Sequence, residues 1–393
     1  MTVDSADFLY VSHDLFSLGG IQRYGRYEVR ALGNLAGRNA VRACSLAPPV
    51  TGGFAGALPI DVVGRGFGVR AKAAFALRVL RAARRGAAHG RTICDHIALA
   101  PLGLVCRLLL GRRYCLNVYG AEVWKPIPLL QRIALLRAET IVSDCDFTRR
   151  DLEGRFPKLR GRIAIVHDCV DCERFRPRDP LPGLADRLGL RAGVPTVLTV
   201  SRLPETRFKG HDRVIRALAE LRGEGVESQY LIVGDGPDRP RLEALAAELG
   251  LKDAVLFAGN VEDDLLPDVY LLSDVFVLAS GMKTETGARW FGEGVPLVVI
   301  EAQACGKPAI ASSLDGAAES LAHGRTGFLV DPDDHVELTA ALASLLRDDV
   351  LRKQFAAASR PYAIENFSFE VFQERIGRAL GITESHAGPA APS

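Results

Sequence analysis

Two consecutive α/β domains, each a doubly wound, Rossmann-like parallel sheet, are the architecture this chain predicts, on three observations. Its 393 residues exceed what one hydrophobic core usually supports. Apolar strand-like runs alternate with helical stretches through both halves, the pattern of a parallel sheet covered on both faces. A proline-rich link, Phe175-Arg176-Pro177-Arg178-Asp179-Pro180-Leu181-Pro182, breaks the alternation before an apolar run at 194–200 restarts it.

The first half opens on Phe8-Leu9-Tyr10-Val11-Ser12, an apolar run that reads as a buried strand. A glycine turn at Gly19-Gly20 and a helix over 21–35 follow. Further strands are expected at 42–46, 92–94, 114–119, 140–143 and 163–166, with helices between them such as 127–137. In the second half the cycle predicts a helix over 212–222, a strand at 230–233, a helix over 239–249, strands at 255–257 and 275–278, a helix over 296–305 and a strand at 309–311. The expected domains are 1–180 and 181–362, followed by a helix over 363–382 and a disordered Pro/Ala/Gly-rich tail over 383–393.

Composition narrows the class. Apolar residues make up 48% and charged ones 24%, the balance of a soluble globular protein. With no run of 18 uninterrupted apolar residues and an acidic start, the chain is expected in the cytoplasm. Eight cysteines scattered through apolar surroundings read as reduced core thiols, and Cys169-Val170-Asp171-Cys172 lacks a second pair to complete a metal site. No metal, cofactor or nucleic-acid partner is expected. The net charge of +2 conceals an asymmetry: residues 1–190 carry 29 lysines and arginines against 17 acids, and the remainder 20 against 30. Eleven basic residues lie between Arg65 and Arg113 with Asp95 as the single acid, and the helix from Arg70 to Arg85 repeats Phe75, Val79 and Ala82 at steps of three and four.

The segment richest in chemistry is Glu293-Gly294-Val295-Pro296-Leu297-Val298-Val299-Ile300-Glu301. A helix starting near Leu297 leaves backbone N–H groups free to seat an anion, with a carboxylate at each end of the seat. A nucleotide sugar has that layout: sugar, diphosphate, ribose. Upstream, Arg202 and Lys209 in Ser201-Arg202-Leu203-Pro204-Glu205-Thr206-Arg207-Phe208-Lys209-Gly210 follow a strand's carboxyl end, where a guanidinium and an ammonium suit a leaving diphosphate without a metal.

These residues resemble the retaining glycosyltransferases of the group 1 family (family four), whose two-domain GT-B fold has its domains facing a cleft and a C-terminal helix crossing back to the first domain. The acid-x7-acid motif matches Glu293 and Glu301, which the resemblance places on the donor sugar and on the ribose. The "G-R-(x)n-K-G" element matches Arg202 and Lys209. Gly234 would shape the pocket floor, Gly259-Asn260-Val261 would meet the nucleobase, and Gly294, Val295, Pro296 and Leu297 would hold the diphosphate. Gly19 and Gly20 resemble the glycine pair that approaches the donor phosphates. Asp168–Pro177 resembles the segment that ends the first domain, with Cys169 where glycine is usual. The pattern is broken at Tyr119-Gly120-Ala121-Glu122, where most relatives carry a histidine before the glycine, so Tyr119, Gly120 and Glu122 are acceptor-side candidates without an imidazole.

The resemblance implies retaining, metal-independent transfer from a nucleotide-diphosphate sugar, UDP before GDP, to a hydroxyl in bacterial glycoconjugate, polysaccharide or glycosylated-metabolite synthesis. The other classes weighed are an epimerase or phosphorylase on the same frame and a non-enzymatic sugar receptor. Two readings of the helix from Arg70 to Arg85 stay open: a contact to the inner face of an anionic membrane, or the solvated face of a domain.

Overall fold

The computed structural model describes residues 7–17, 19–50, 58–87, 89–283 and 289–382. Residues 284–288 and the expected tail at 383–393 lie outside the described residues. Two compact units divide the chain: unit 1 runs through Cys169 and resumes at Phe369, and unit 2 is Val170–Ser368.

Unit 1 comprises β1 (Phe8–Ser12), α1 (Gly20–Ala36), β2 (Val41–Ser45), β3 (Ile60–Val63), α2 (Val69–Arg84), β4 (Arg91–Cys94), α3 (Ala100–Leu110), β5 (Arg113–Val118), α4 (Ala121–Trp124), α5 (Leu129–Arg137), β6 (Thr140–Ser143), α6 (Asp146–Arg155) and β7 (Ile163–Ile165). Its seven strands, all parallel, lie in the order β3-β2-β1-β4-β5-β6-β7, with Tyr10 of β1 opposite Ala43 on one side and Ile93 on the other. Every residue of β1 is buried, because alternate side chains serve opposite faces. Leu9 and Val11 pack with Val79, Leu104 and Leu116, whereas Phe8 and Tyr10 pack with Leu32, Ile93 and Phe372.

Unit 2 begins with α7 (Leu184–Arg187) and continues with β8 (Thr196–Val200), α8 (His211–Gly223), β9 (Gln229–Val233), α9 (Arg239–Glu248), β10 (Val255–Gly259), α10 (Leu266–Leu271), β11 (Val275–Leu278), a hairpin of β12 (Met282–Lys283) and β13 (Arg289–Phe291), α11 (Leu297–Ala304), β14 (Ala309–Ser312), β15 (Gly327–Val330), α12 (His335–Arg347) and α13 (Asp349–Phe367). Six strands form a parallel sheet in the order β10-β9-β8-β11-β14-β15. The final helix, α14 (Phe369–Ala379), belongs to unit 1, where Phe372 and Ile376 join the cluster holding Leu32 and Leu35 of α1 and the Phe372 ring meets Tyr24 edge-on at 5.1 Å.

The expected domain ends at 180 and 362 and the unit ends at 169 and 368 differ for a physical reason. Val170 N–H bonds Phe367 O at 2.8 Å, Phe175 meets Tyr270 edge-on, and Arg360 donates to the carbonyls of Cys172 and Phe175, so the segment after Cys169 is built into unit 2. None of the eight cysteines forms a disulfide, and seven of them are buried.

Candidate functional site

In unit 2 the residues singled out from the sequence gather at the carboxyl ends of β8, β9, β10 and β11. Arg202 lies two residues past β8 and is exposed. Gly234 follows β9, and its N–H bonds Gly259 O at 2.7 Å across an isolated bridge. That bridge joins Gly259, at the end of β10 and just before Asn260 and Val261, to the end of β9. Gly234 has φ 118, and a Cβ there would lie 2.0 Å from Ser201 O, so glycine is what allows the two strand ends to close up.

Lys209 ends the β8 loop, and its Nζ lies 2.6 Å from Glu293 Oε1, with both side chains about five-sixths buried. The fold thus joins two residues 84 positions apart. Gly210 supports this corner: at φ 75, a Cβ would meet Ala279 O at 2.0 Å, so the chain enters α8 flush against the end of β11. Gly281 N–H bonds Phe208 O at 2.7 Å, and Arg213 ties the carbonyls of Ala279 and Gly281 to Asp333. Glu293 is held from its other side, where its N–H donates to Asp315 Oδ2 at 3.0 Å and its carbonyl accepts from Gly316 N–H at 2.9 Å.

Gly294, Val295, Pro296 and Leu297 then lead into α11, whose first turn has no side-chain cap. The helix starts at Leu297, one residue later than expected, because Pro296 is extended (φ −76, ψ 115). Glu301, inside α11, is 1% exposed and accepts from Tyr270 OH at 2.8 Å. Its carboxylate is thus enclosed within unit 2 and does not lie open beside the helix start.

Sequence reasoning missed the buried chain beneath the β8 loop. Thr199 Oγ1 donates to Val277 O (2.6 Å), Tyr230 OH donates to Thr199 Oγ1 (2.8 Å), His211 Nδ1 lies 3.2 Å from Tyr230 OH, and Ser201 Oγ lies 2.8 Å from His211 Nε2. Each hydroxyl has a single proton, so the polarity is determined from the Val277 end. Tyr230 spends its proton on Thr199 and must accept from His211 Nδ1–H, and the Ser201 hydroxyl stands between two acceptors, His211 Nε2 at 2.8 Å and Arg202 O at 3.1 Å. Burial, followed by the Lys209 charge, holds His211 down to about 4, which keeps the ring neutral and able to accept. The only sequence signal was a histidine directly after Lys209-Gly210.

Unit 1 places Gly19 and Gly20 at the uncapped start of α1, both exposed. Tyr119 and Gly120 follow β5, and Glu122 turns back so that its Oε1 accepts Tyr119 N–H at 2.6 Å; its carboxylate thereby closes the turn. The Tyr119 hydroxyl, beside Asn117, is buried and has no hydrogen-bond partner of normal geometry among the described residues. Two carboxyl groups that the sequence reading passed over lie nearby. Glu28 of α1 is fully buried, accepts from Tyr10 OH at 2.9 Å and from the Asn117 amide, and is pushed by burial up to about 7. Asp95 after β4 accepts from the Ser12 hydroxyl and from His13 N–H, and burial likewise pushes it up to about 7.

Two doubly wound sheets, with a cation–carboxylate corner and a helix start at the carboxyl edge of the second, are an arrangement suited to binding a nucleotide. Comparison with known proteins narrows this. The chain belongs to the Glycosyl transferases group 1 family, which matches residues 184–361. It is 33% identical over 287 residues, 72% of this chain and 73% of the relative, to a GDP-mannose-dependent alpha-(1-6)-phosphatidylinositol monomannoside mannosyltransferase of Mycolicibacterium smegmatis. It is 34% identical over 220 residues, 54% of this chain and 44% of the relative, to a D-inositol 3-phosphate glycosyltransferase of Streptomyces avermitilis. In fold it is similar to Anabaena HepE, solved with UDP and glucose, at a TM-score of 0.75 and 18% identity over 96% of this chain and 99% of that one. The fold is therefore GT-B, and the chain is a glycosyltransferase of the hexosyltransferase kind with a nucleotide-sugar donor and an acceptor.

Proposed function

We propose that the chain transfers a hexosyl group with retention, its diphosphate leaving group stabilised by Arg202, Lys209 and the backbone N–H groups from Gly294 to Leu297. The observation that carries this reading is the Lys209–Glu293 contact of 2.6 Å at the carboxyl edge of the unit 2 sheet. Arriving donor phosphate competes for Lys209 and releases Glu293 toward the sugar hydroxyls. The bond from the anomeric carbon to the phosphate oxygen breaks, the acceptor oxygen bonds the same carbon on the same face, and the acceptor proton passes to the departing phosphate. Two cations and preorganised amides supply the charge stabilisation, each such donor contributing roughly 3 to 4 kcal/mol in the transition state. Glu301 keeps its assignment to the ribose.

The relatives' names put GDP-mannose ahead of UDP-sugars as the donor to test, and an inositol-bearing or mannosylated acceptor ahead of others. For such an acceptor in a bilayer, α2 offers Arg70, Lys72, Arg78, Arg81 and Arg84 beside exposed Val69 and Leu77, a surface suited to anionic lipid. The test is turnover of a panel of GDP-, UDP- and ADP-sugars, with the anomeric configuration of the product read by NMR. Inverted product, or activity abolished by a chelator and restored by magnesium, overturns the mechanism.

A further inference from the structure

We propose that His13, Phe67 and His96 form a platform in unit 1 for the acceptor, and that the group it holds is a hydroxyl-bearing six-membered ring, a cyclitol or a pyranoside. This rests on the glycosyl-transfer reading and assigns the part of it that the donor residues leave open.

The rings come from three separate places. His13 follows β1, His96 lies two residues past β4, and Phe67 is in the segment between β3 and α2. His13 stacks on Phe67 with centroids 4.7 Å apart and planes 27° apart, and on His96 at 5.6 Å and 29°. In the strand order, the chain leaves β1 toward β2 and β3 on one side and then builds β4 to β7 on the other. The carboxyl ends of β1 and β4 are therefore the topological switch point of this sheet, the place where doubly wound folds bind ligands.

The chemistry there suits hydroxyl groups. His13 is held below its usual value by burial, then by His96 and Lys72, against an opposing effect of Asp14; His96 is held down by burial. Both rings are neutral at neutral pH, and a neutral imidazole has one donor and one acceptor, as a hydroxyl does. His96 Nδ1 accepts Ala98 N–H at 3.1 Å, which leaves the proton on Nε2 as a donor. Phe67, 48% exposed, adds an apolar ring face for the C–H side of a sugar or cyclitol. The platform is also held firmly. Asp95 is buried beneath it, with one oxygen on His13 N–H and the other on the Ser12 hydroxyl, and Ser12 Oγ in turn accepts Asp14 N–H at 3.0 Å.

The experiment has two parts that fail separately. Nucleotide-sugar turnover by the unaltered chain tests the glycosyl-transfer reading. Imidazole proton signals, assigned with His13→Asn and His96→Asn, are then followed during titration with myo-inositol, methyl α-mannopyranoside and inositol 1-phosphate. The expected result is saturable shifts of those two among the eight histidines by the neutral rings, and a rise in acceptor KM of about tenfold or more in Phe67→Ala and His96→Leu with donor KM little changed. Phe67 is half exposed, so its truncation tests binding without disturbing the core. A chain that turns over donor but shows neither shifts nor a change in acceptor KM overturns the platform. So does a response to inositol 1-phosphate alone, which would make the rings an anion site.

Discussion

The two units share one topology and differ in almost everything that bears on chemistry. Unit 1 carries 27 lysines and arginines against 16 acids, hence +11, and unit 2 carries 22 against 31, hence −9. Yet the cations proposed to meet the donor diphosphate, Arg202 and Lys209, belong to the acidic unit. Net charge governs what a surface attracts at a distance, whereas a site is made by the few groups that a strand edge brings within hydrogen-bond reach. Both units bury titratable groups: unit 1 encloses the carboxyl groups of Glu28 and Asp95, and unit 2 the carboxyl group of Glu301 and the imidazole of His211.

The largest effect expected from this contrast is catalytic and confined to unit 2. Glu293→Ala should lower turnover by roughly 10²- to 10³-fold or more with circular dichroism unchanged, and Arg202→Ala and Lys209→Ala should each lower kcat by a similar factor. Because Lys209 and Glu293 are in contact, the double variant should fall well short of the product of the single losses. Near-normal turnover in Glu293→Ala, or a defect in donor KM alone, would remove these residues from the chemistry.

The next effect is on stability, with opposite signs in the two units. His211 takes up a proton at about 4 in the folded chain against 6.5 unfolded, so its contribution is present above 6.5 and is lost as pH falls toward 4, by roughly 3 kcal/mol at most. Glu28 holds its proton up to about 7 in the folded chain against 4.5 unfolded, so its contribution is present below 4.5 and is lost as pH rises through 7, by a similar amount. Hydrogen exchange read separately in β1 and β8 should show unit 1 loosening toward alkaline pH and unit 2 toward acid. Glu28→Gln should reduce the first trend to the share that Asp95 carries, and His211→Gln should flatten the second. Parallel trends in both units would break the comparison.

A smaller effect concerns the basic surface. Replacing Arg78, Arg81, Arg84 and Arg85 with glutamine should weaken flotation on anionic vesicles by about 1 kcal/mol per charge at low salt, with neutral vesicles unaffected. The absence of retention for the unaltered chain at low salt would leave α2 as a solvated face. Smallest, Glu301→Gln keeps the acceptor for Tyr270 OH and should raise donor KM by only about tenfold or less, a loss on ribose recognition without one on the chemical step.

Legibility differed between the units for a physical reason. In unit 2 the strands at β8, β9, β11 and β14 and the helix α11 were readable within a residue or two, because buried parallel strands are short apolar runs and their loops are marked by glycine. The residues proposed for the donor were equally plain, since Glu293 and Glu301 share one continuous segment. One edge strand was missed in each unit, β3 and β15: both are only half buried, and Ile60-Asp61-Val62-Val63 carries a charge as well. The Phe67, His13 and His96 stack had no signal at all, because the three residues lie on separate segments and each alone is unremarkable in sequence.

By itself the sequence determined the periodic content of this protein: which runs are apolar enough to be buried strands, where the alternation stops and restarts, and which charged residues flank glycine turns. These are local properties, because the 2.0 and 3.6 residue periods and the demands of a turn act over a few positions. Only the tertiary structure decided which distant groups meet: Lys209 with Glu293, Ser201 with His211 and Tyr230, and Asp95 with Ser12 and His13. A parallel sheet collects loops from the ends of strands far apart in sequence, so burial, protonation and hydrogen-bond polarity at that edge belong to the assembled sheet and to no single segment.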